Sequence, residues 1–239
     1  MERIWVRLIL NIEINRIIFL YKVISVLIGL PFEYILIKII FRSDSMSRYI
    51  IGITGASGSI YAPPLIETLL KDKKNQVHLV VTESGRQVFE YELDYTIDDL
   101  VTRCQDQYGQ IIKFHDINNY FAPIASGSFH AKGMVILPCS MGTLANISLG
   151  SSRNLLERAA DVCLKEERKL ILVPRETPLN SIHLENMLKL SRRGTTILPA
   201  MPGFYHHPES IEDLVNFVVG RVLNSLGIEN GLAREWEGG

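Results

Sequence analysis

The 239 residues are 47% apolar and 21% charged, which is enough apolar material for one sizeable core. Lys and Arg number 25 against 26 Asp and Glu, so the net charge of -1 excludes the basic footprint of a nucleic-acid-binding protein. The cysteines Cys104, Cys139 and Cys163 are widely spaced and form no C-x-x-C pair, which argues against a disulfide framework or a cysteine zinc site. We therefore expect a reducing compartment, the cytoplasm.

The first 45 residues differ in composition from the rest. Residues 17–41 are dense in apolar side chains, but Lys22, Glu33 and Lys38 interrupt them, and the longest uncharged run is about half of the ~20 residues that span a bilayer. Three interpretations stay open: a membrane-contacting segment, a targeting segment, or translated sequence upstream of the true start. We favour the third, because Met46 leads directly into a strand pattern. The predicted organisation is an extension, 1–45, and one domain, 46–239.

From Arg48 onward, short apolar runs alternate with amphipathic stretches. Strands are predicted at residues 49–54, 77–82, 132–137, 169–173 and 195–198, with Pro138 ending the third and Pro174 the fourth. Helices are predicted at residues 61–70, 85–91, 97–108, 155–165, 181–191 and 211–226. Strands separated by helices indicate an α/β fold: a doubly wound, mostly parallel sheet, Rossmann-like or flavodoxin-like, with helices on both faces.

Two strand-to-helix turns are candidate anion sites. Thr54-Gly-Ala-Ser-Gly-Ser59 follows the first strand, and Ser140-Met-Gly-Thr143 follows the third. Small residues let backbone N–H groups approach an anion, and a helix N-terminus adds a favourable dipole. Neither turn matches a standard nucleotide fingerprint, so a plain tight turn and an ordinary Ser140 N-cap remain alternatives.

Two later segments add charged and aromatic groups. Arg175 and Glu176 follow the fourth strand between prolines; a surface ion pair is the alternative to a phosphate donor beside a proton carrier. Tyr205 lies in a proline-rich loop after the last strand, and Arg221 on the next helix can reach it. Adjacent histidines in that loop do not predict a metal site, because no further ligands accompany them.

Taken together, these segments resemble the UbiX-type flavin prenyltransferases, relatives of the flavin-dependent cysteine decarboxylases. The resemblance runs from about residue 49 to 236. Its most specific motifs are Asn154-Leu-Leu-Glu-Arg-Ala-Ala-Asp161, Val173-Pro-Arg-Glu-Thr-Pro178, His183-Leu-Glu-Asn-Met-Leu188 and Pro202-Gly-Phe-Tyr-His206.

The resemblance implies transfer of a dimethylallyl group from dimethylallyl monophosphate to N5 and C6 of reduced FMN, without a metal. The implied FMN-binding residues are Gly55, Ala56, Ser57, Thr82, Ser140, Met141, Gly142, Thr143 and Arg175. The implied ligands of the substrate phosphate are Arg158, Lys165, Tyr205 and Arg221. The implied catalytic residues are Ser57, Glu92, Glu176 and Lys165, with Glu92 and Glu176 as the acid–base carboxylates. Tyr205 and Trp236 are candidates to surround the allylic cation.

The resemblance also implies a homododecamer with the flavin at subunit junctions, and a UbiD-type decarboxylase that receives the prenyl-FMN. The sequence leaves open whether the ester is a monophosphate or a diphosphate. Alternative functions are an FMN-dependent cysteine or aromatic-acid decarboxylase and an FMN carrier without catalysis. Pro123-Ile-Ala-Ser-Gly-Ser128 lacks the asparagine of the corresponding cysteine decarboxylase segment, which disfavours the first of these.

Overall fold

The computed structural model of the chain describes residues 46–232. The predicted extension, 1–45, and Trp236 lie outside the described residues, so the start at Met46 and the role of Trp236 stay predictions. Within the described range, none of the helices has the length and apolar character needed to cross a bilayer.

The described residues form one six-stranded parallel sheet flanked by helices. The strands are β1 (Ser47–Ile53), β2 (Asn75–Val81), β3 (Ile112–His115), β4 (Gly133–Cys139), β5 (Lys169–Pro174) and β6 (Thr196–Ile197). The α-helices are α1 (Ala62–Lys71), α2 (Glu83–Leu93), α3 (Ile97–Tyr108), α4 (Met141–Ser148), α5 (Leu155–Lys165), α6 (Ser181–Ser191) and α7 (Ile211–Leu226). Short 3₁₀ helices lie at Ser59–Tyr61 and Pro123–Ala125. The predicted doubly wound α/β fold is confirmed.

The strand order β3-β2-β1-β4-β5-β6 explains where a ligand can bind. The chain moves outward from β1 to β3 and then returns to the other side of β1 to begin β4. Loops leaving β1 and β4 therefore diverge and open a crevice between the carboxyl ends of these two strands. The two candidate anion turns follow these two strands.

The sheet is buried on both faces, which is why its strands read as continuous apolar runs. Side chains such as Ile51 and Leu79 pack on one face, with α1, α3 and α7. Ile50 and Ile136 pack on the other face, with α4 and α5. Fully burying side chains of this size stabilises the fold by roughly 1.5–3 kcal/mol each.

Four helices, α3, α5, α6 and α7, span the predicted residues, and each begins at a specific side-chain cap. The Ser210 hydroxyl accepts a hydrogen bond from Asp213 N–H at 3.1 Å, and the Asp213 carboxylate accepts one from Ser210 N–H at 3.0 Å. Asn154 and Asn180 cap α5 and α6 in the same way through their side-chain oxygens. Such caps satisfy N–H groups that have no partner inside the helix.

The structure corrects two details of the strand prediction. Pro138 does not end β4: the strand continues to Cys139, and the register with β5 shifts between Ile136 and Cys139, which accommodates the missing N–H of proline. The Pro138 carbonyl still accepts hydrogen bonds from the backbone and side chain of Thr54. The sequence analysis also missed β3, whose four residues lie at the edge of the sheet and carry little apolar signal.

A histidine pair lies under the loop that follows β3. His78 Nδ1 is 2.8 Å from His115 Nε2, and the His78 ring also packs edge-on against Phe129. Burial, together with the nearby charges of His115, Arg48 and Lys113, lowers the pKa of His78 to about 4. Burial also lowers the pKa of His115. The folded protein therefore holds both rings neutral at pH values where the unfolded chain begins to bind protons.

We predict that acid weakens the fold through this pair. The pKa of His78 is lower in the folded state, so its contribution is present above pH 6.5 and is lost as the pH falls from about 6.5 to about 4, by up to roughly 3 kcal/mol. The free energy of unfolding, measured by urea titration across this range, should fall less steeply in His78→Gln. His130→Gln, at an exposed histidine, is the control; equal slopes in wild type and His78→Gln would contradict the prediction.

Candidate functional site

The hydroxyl of Thr54 joins the two sides of the crevice. Thr54 Oγ1 donates to the carbonyl of Pro138 at 2.8 Å and accepts from Ser140 N–H at 2.7 Å. The end of β1 is thereby fixed against the end of β4. The sequence analysis did not single out Thr54 as a structural link, although a buried hydroxyl at the end of an apolar strand is a signal of such a bond.

The turn after β1 already holds an anion, the carboxylate of Glu92. Its oxygens accept hydrogen bonds from Gly58 N–H at 3.0 Å and from Ser59 N–H at 2.8 Å. Burial by itself raises the pKa of Glu92, but hydrogen bonds from the Ser57 side chain and from these N–H groups lower it overall. The carboxylate is therefore ionised at neutral pH. It occupies the N–H groups of Gly58 and Ser59, which belong to the turn predicted to bind an anion.

The N-terminus of α4 is open instead. Ser140 caps Thr143 N–H at 3.3 Å, and the first turn of α4 contains no acidic residue. A Cβ added to Gly142 would meet no atom within 4 Å, so free space lies over this backbone. By contrast, α2 begins with Glu83, which repels an anion. Of these helix starts, α4 is the one suited to a phosphate.

Arg175 brings β5 into the same site. Its Nε donates to the carbonyl of Ser57 at 3.1 Å, which links the end of β5 to the turn after β1. Thr82, at the end of β2, lies on the other side of that turn, since Thr82 N–H donates to the carbonyl of Ile53. The predicted FMN-binding residues thus follow four adjacent strands, β2, β1, β4 and β5.

A largely apolar cavity of ≈ 430 Å³ adjoins Arg175 and Glu176. Its walls include Leu179, Met187 and Met201, so it offers a water-poor surface beside two charged groups. The Glu176 side chain is exposed at this cavity, where one carboxylate oxygen accepts from Thr177 N–H at 3.0 Å. The carboxylate of Glu176 and the guanidinium of Arg175 therefore lie next to an apolar cavity.

Tyr205 and Arg221 lie on the loop after β6 and on α7. The Tyr205 ring packs edge-on against Phe217, with 5.8 Å between centroids. Arg221 is exposed and follows Phe217 by one helical turn on the same face, so it can extend toward Tyr205. These two predicted phosphate ligands can therefore act together within one protomer.

Lys165 does not join them in the same protomer. Arg158 lies near the start of α5, whereas Lys165 is its last residue, four positions before β5 begins at Lys169. It therefore lies at the amino edge of the sheet, and a six-residue strand is about 20 Å long. Within one protomer, Lys165 is therefore separated from Tyr205 and Arg221, because α5 returns the chain to the opposite edge of the sheet.

Metal ligands do not cluster in the part of the chain that the structure describes: no three His, Cys, Asp or Glu side chains there could hold an ion. His183 belongs to the capping box of α6, and the His206 ring stacks on Phe217 with 5.4 Å between centroids. The cysteines are buried, and burial raises the pKa of Cys139 and Cys163 to about 12, so neither thiol is a nucleophile at neutral pH.

Comparison with known proteins identifies the family. The model of the flavoprotein family matches residues 40–223. The chain belongs to this family. It is 55% identical over 189 residues to a flavin prenyltransferase UbiX of Alkalihalophilus pseudofirmus, an alignment that covers 78% of this chain and 94% of the relative. Within the flavoproteins, the chain therefore belongs to the UbiX-type flavin prenyltransferases.

Two solved structures share the fold. A dodecameric FMN-dependent UbiX-like decarboxylase from Escherichia coli O157:H7 is 44% identical, with a TM-score of 0.75 over 80% of this chain and 100% of that one. AnUbiX in complex with FMN and dimethylallyl pyrophosphate is 39% identical, with a TM-score of 0.74 over 80% of this chain and 98% of that one. The resemblance read from the sequence is confirmed.

We predict that Gly142→Ala separates stability from flavin affinity. Alanine is a better helix former, so the free energy of unfolding should stay equal or rise by up to about 1 kcal/mol. A methyl group over the open helix start should block close approach of the FMN phosphate and raise the dissociation constant about tenfold. Flavin fluorescence titration and thermal melting measure the two effects.

Gly231→Ala is the matched control, because a Cβ there also meets no atom within 4 Å. It should leave FMN affinity unchanged. Unaltered affinity in Gly142→Ala would place the flavin phosphate elsewhere.

Proposed function

We propose that this chain transfers the dimethylallyl group of a dimethylallyl phosphate ester to N5 and C6 of reduced FMN. The observation that carries the proposal is the convergence of four strand ends on one crevice, where an open helix N-terminus and Arg175 lie beside Ser57. Arg158 and Lys165 on α5 supply the second set of phosphate ligands. The 55% identity to a flavin prenyltransferase supports the same reaction.

The crevice fits FMN. The start of α4, residues 140–143, accepts the phosphate, and residues 55–57 lie beside it because Thr54 fixes the two turns together. Gly55 is closely packed, since a Cβ there would overlap the Ser84 side chain, so the turn passes close to the start of α2. Thr82 and Arg175 border the flavin on either side. When bound in reduced form, FMN supplies the nucleophilic N5 and C6 positions.

Ser57 and Glu92 act as a pair near N5. The ionised Glu92 accepts the hydrogen bond of the Ser57 hydroxyl, so the hydroxyl oxygen is oriented and can take part in proton exchange. Because its pKa is lowered, Glu92 serves as an acceptor of protons and not as a donor. The apolar cavity beside Arg175 excludes water from the allyl group, and Tyr205 offers a π face to its developing positive charge.

Glu176 protonates the departing phosphate. It is exposed at the apolar cavity and adjoins Arg175, so a carboxyl group able to transfer a proton lies beside a positive charge where the phosphate leaves. Without a metal, the charge of the leaving group must be balanced by Lys and Arg side chains. Tyr205 and Arg221 from the same protomer provide only one positive charge, so additional Lys or Arg side chains are needed to balance the charge of the phosphate.

Arg158 and Lys165 come from a neighbouring protomer. Both project from the outer side of α5: Arg158 is bound to Asp161 at 3.1 Å, and Lys165 lies two turns farther along the same face. In an assembly with closed symmetry, this face can cover the crevice of the next copy. The dodecameric state of the Escherichia coli relative supports a homododecamer, in which such a contact can form.

The fate of the product and the location of the enzyme extend the proposal. Prenyl-FMN would be delivered to a UbiD-type decarboxylase, as the family resemblance implies. A cytoplasmic location, with or without membrane contact through residues 1–45, stays a prediction. Both monophosphate and diphosphate esters should be tried as donors, since AnUbiX binds the diphosphate.

We predict that purified protein, given FMN, dimethylallyl monophosphate and a reductant, forms prenyl-FMN detectable by mass spectrometry. Glu176→Gln should lower kcat about 100-fold because the general acid is lost, with FMN binding unchanged. Glu185→Gln, at an exposed carboxylate on α6, is the control. FMN retention without product from either ester would indicate a carrier, and an unchanged kcat in Glu176→Gln would remove the acid role.

We predict that two inactive variants recover activity when their subunits assemble into one oligomer. Lys165→Ala and Tyr205→Phe should each be nearly inactive alone, because each damages one half of every junction. Subunits mixed before assembly should regain roughly a quarter of wild-type activity, since a random junction combines two intact halves with that frequency. Specific activity of the co-purified oligomer measures this. Activity no higher than that of the single variants would place both residues in one protomer's site.

A further inference from the structure

Arg168 clamps a loop that no catalytic assignment includes. Its guanidinium donates hydrogen bonds to the backbone carbonyls of Gly127 and Phe129, and only 11% of the side chain is exposed. Two carbonyls on a single planar fork fix both the position and the tilt of the segment, which a single bond cannot do. Residues 127–129 are therefore tied to the chain just after α5.

The clamped segment touches Lys165. Lys165 Nζ lies 2.9 Å from Glu166 Oε1, and Glu166 Oε2 lies 4.0 Å from an Arg168 nitrogen, so Glu166 connects the two cations. A Cβ on Gly127 would overlap Glu166 Oε1 and come within 3.1 Å of Lys165 Nζ. The backbone at Gly127 is thus a wall against which the Lys165–Glu166 pair rests, and a side chain at this position would displace the pair.

The same segment also orients Arg158. Arg158 Nε donates to the carbonyl of Ala125 at 3.1 Å, while one terminal nitrogen binds Asp161 at 3.1 Å. One terminal nitrogen is left to bind a ligand. The ammonium of Lys165 likewise has three donors and uses one on Glu166. The segment from Ala125 to Phe129 therefore sets the direction of both cations while leaving donors available.

We propose that Arg168 is a positioning residue for the phosphate ester. By holding residues 125–129, it fixes Lys165 and Arg158 in the arrangement that meets the phosphate bound in the neighbouring protomer's crevice. The inference rests on the proposed function, in which α5 serves that neighbour. Lys165 is half-exposed, so without the backbone at Gly127 beside it the side chain would sample many rotamers. Binding of the phosphate would then have to restrict these rotamers, at a cost in conformational entropy.

The test compares Arg168→Gln with wild type in the full-length oligomer. The KM for dimethylallyl monophosphate should rise about tenfold, while the dissociation constant of FMN changes little. The melting temperature should fall by a few degrees, because two backbone carbonyls lose their buried donor. Arg168→Lys should restore part of the KM, because an ammonium can bind one of the two carbonyls. Arg103→Gln is the control. Arg103 lies on α3 and stacks on the ring of Tyr95, and its replacement should leave the KM unchanged.

Gly127→Ala tests the same wall without removing a charge. It should raise the KM for the ester in the same way, since the added methyl group displaces the Lys165–Glu166 pair, and it keeps the test decisive if Arg168→Gln does not fold. An unchanged KM in the folded variants, or a loss of FMN affinity as large as the rise in KM, overturns the inference about Arg168. If wild type still forms product, the proposed function stands. A wild type that forms no product overturns both.

Discussion

One hydroxyl group couples the fold to the site. Thr54 binds both the Pro138 carbonyl and the Ser140 N–H, and it does so at the place where the strand order reverses. A backbone hydrogen bond from Thr54 N–H to the Pro138 carbonyl already joins the two strand ends. The hydroxyl extends this link to Ser140, so the turn that carries Ser57 and the helix start that suits a phosphate keep a fixed spacing. Arg175 then adds β5 to the same rigid unit.

The parallel sheet also imposes a limit on this unit. Each connection between successive strands carries the chain from the carboxyl edge back to the amino edge, and the eleven residues of α5 separate its two ends by about 16 Å. Lys165 therefore lies at the edge of the sheet opposite the crevice of its own protomer. In the assembly that we propose, the outer face of α5 in one copy covers the crevice of another and adds positive charge for the leaving phosphate.

The fold was predictable where local signals agree. Helices such as Ser181–Ser191 combine apolar periodicity with a capping residue, and the residue before each helix marks its start. The prediction failed where only tertiary pairing defines the element. β3 is short and half-exposed, and β4 passes through Pro138 because a register shift with β5 absorbs the missing donor. Neither a sheet edge nor a register shift leaves a mark in the local sequence.

The sequence alone determined the fold class, the residues that follow each strand, and the family to which the chain belongs. Those properties depend on short-range patterns and on motifs such as Val173-Pro-Arg-Glu-Thr-Pro178. The tertiary structure decided which groups meet: it placed the Glu92 carboxylate on the Gly58 and Ser59 N–H groups, left α4 open, and put Lys165 at the far edge. The reason is physical. Contacts between distant residues depend on the direction in which each helix returns the chain, which spacing along the sequence does not encode.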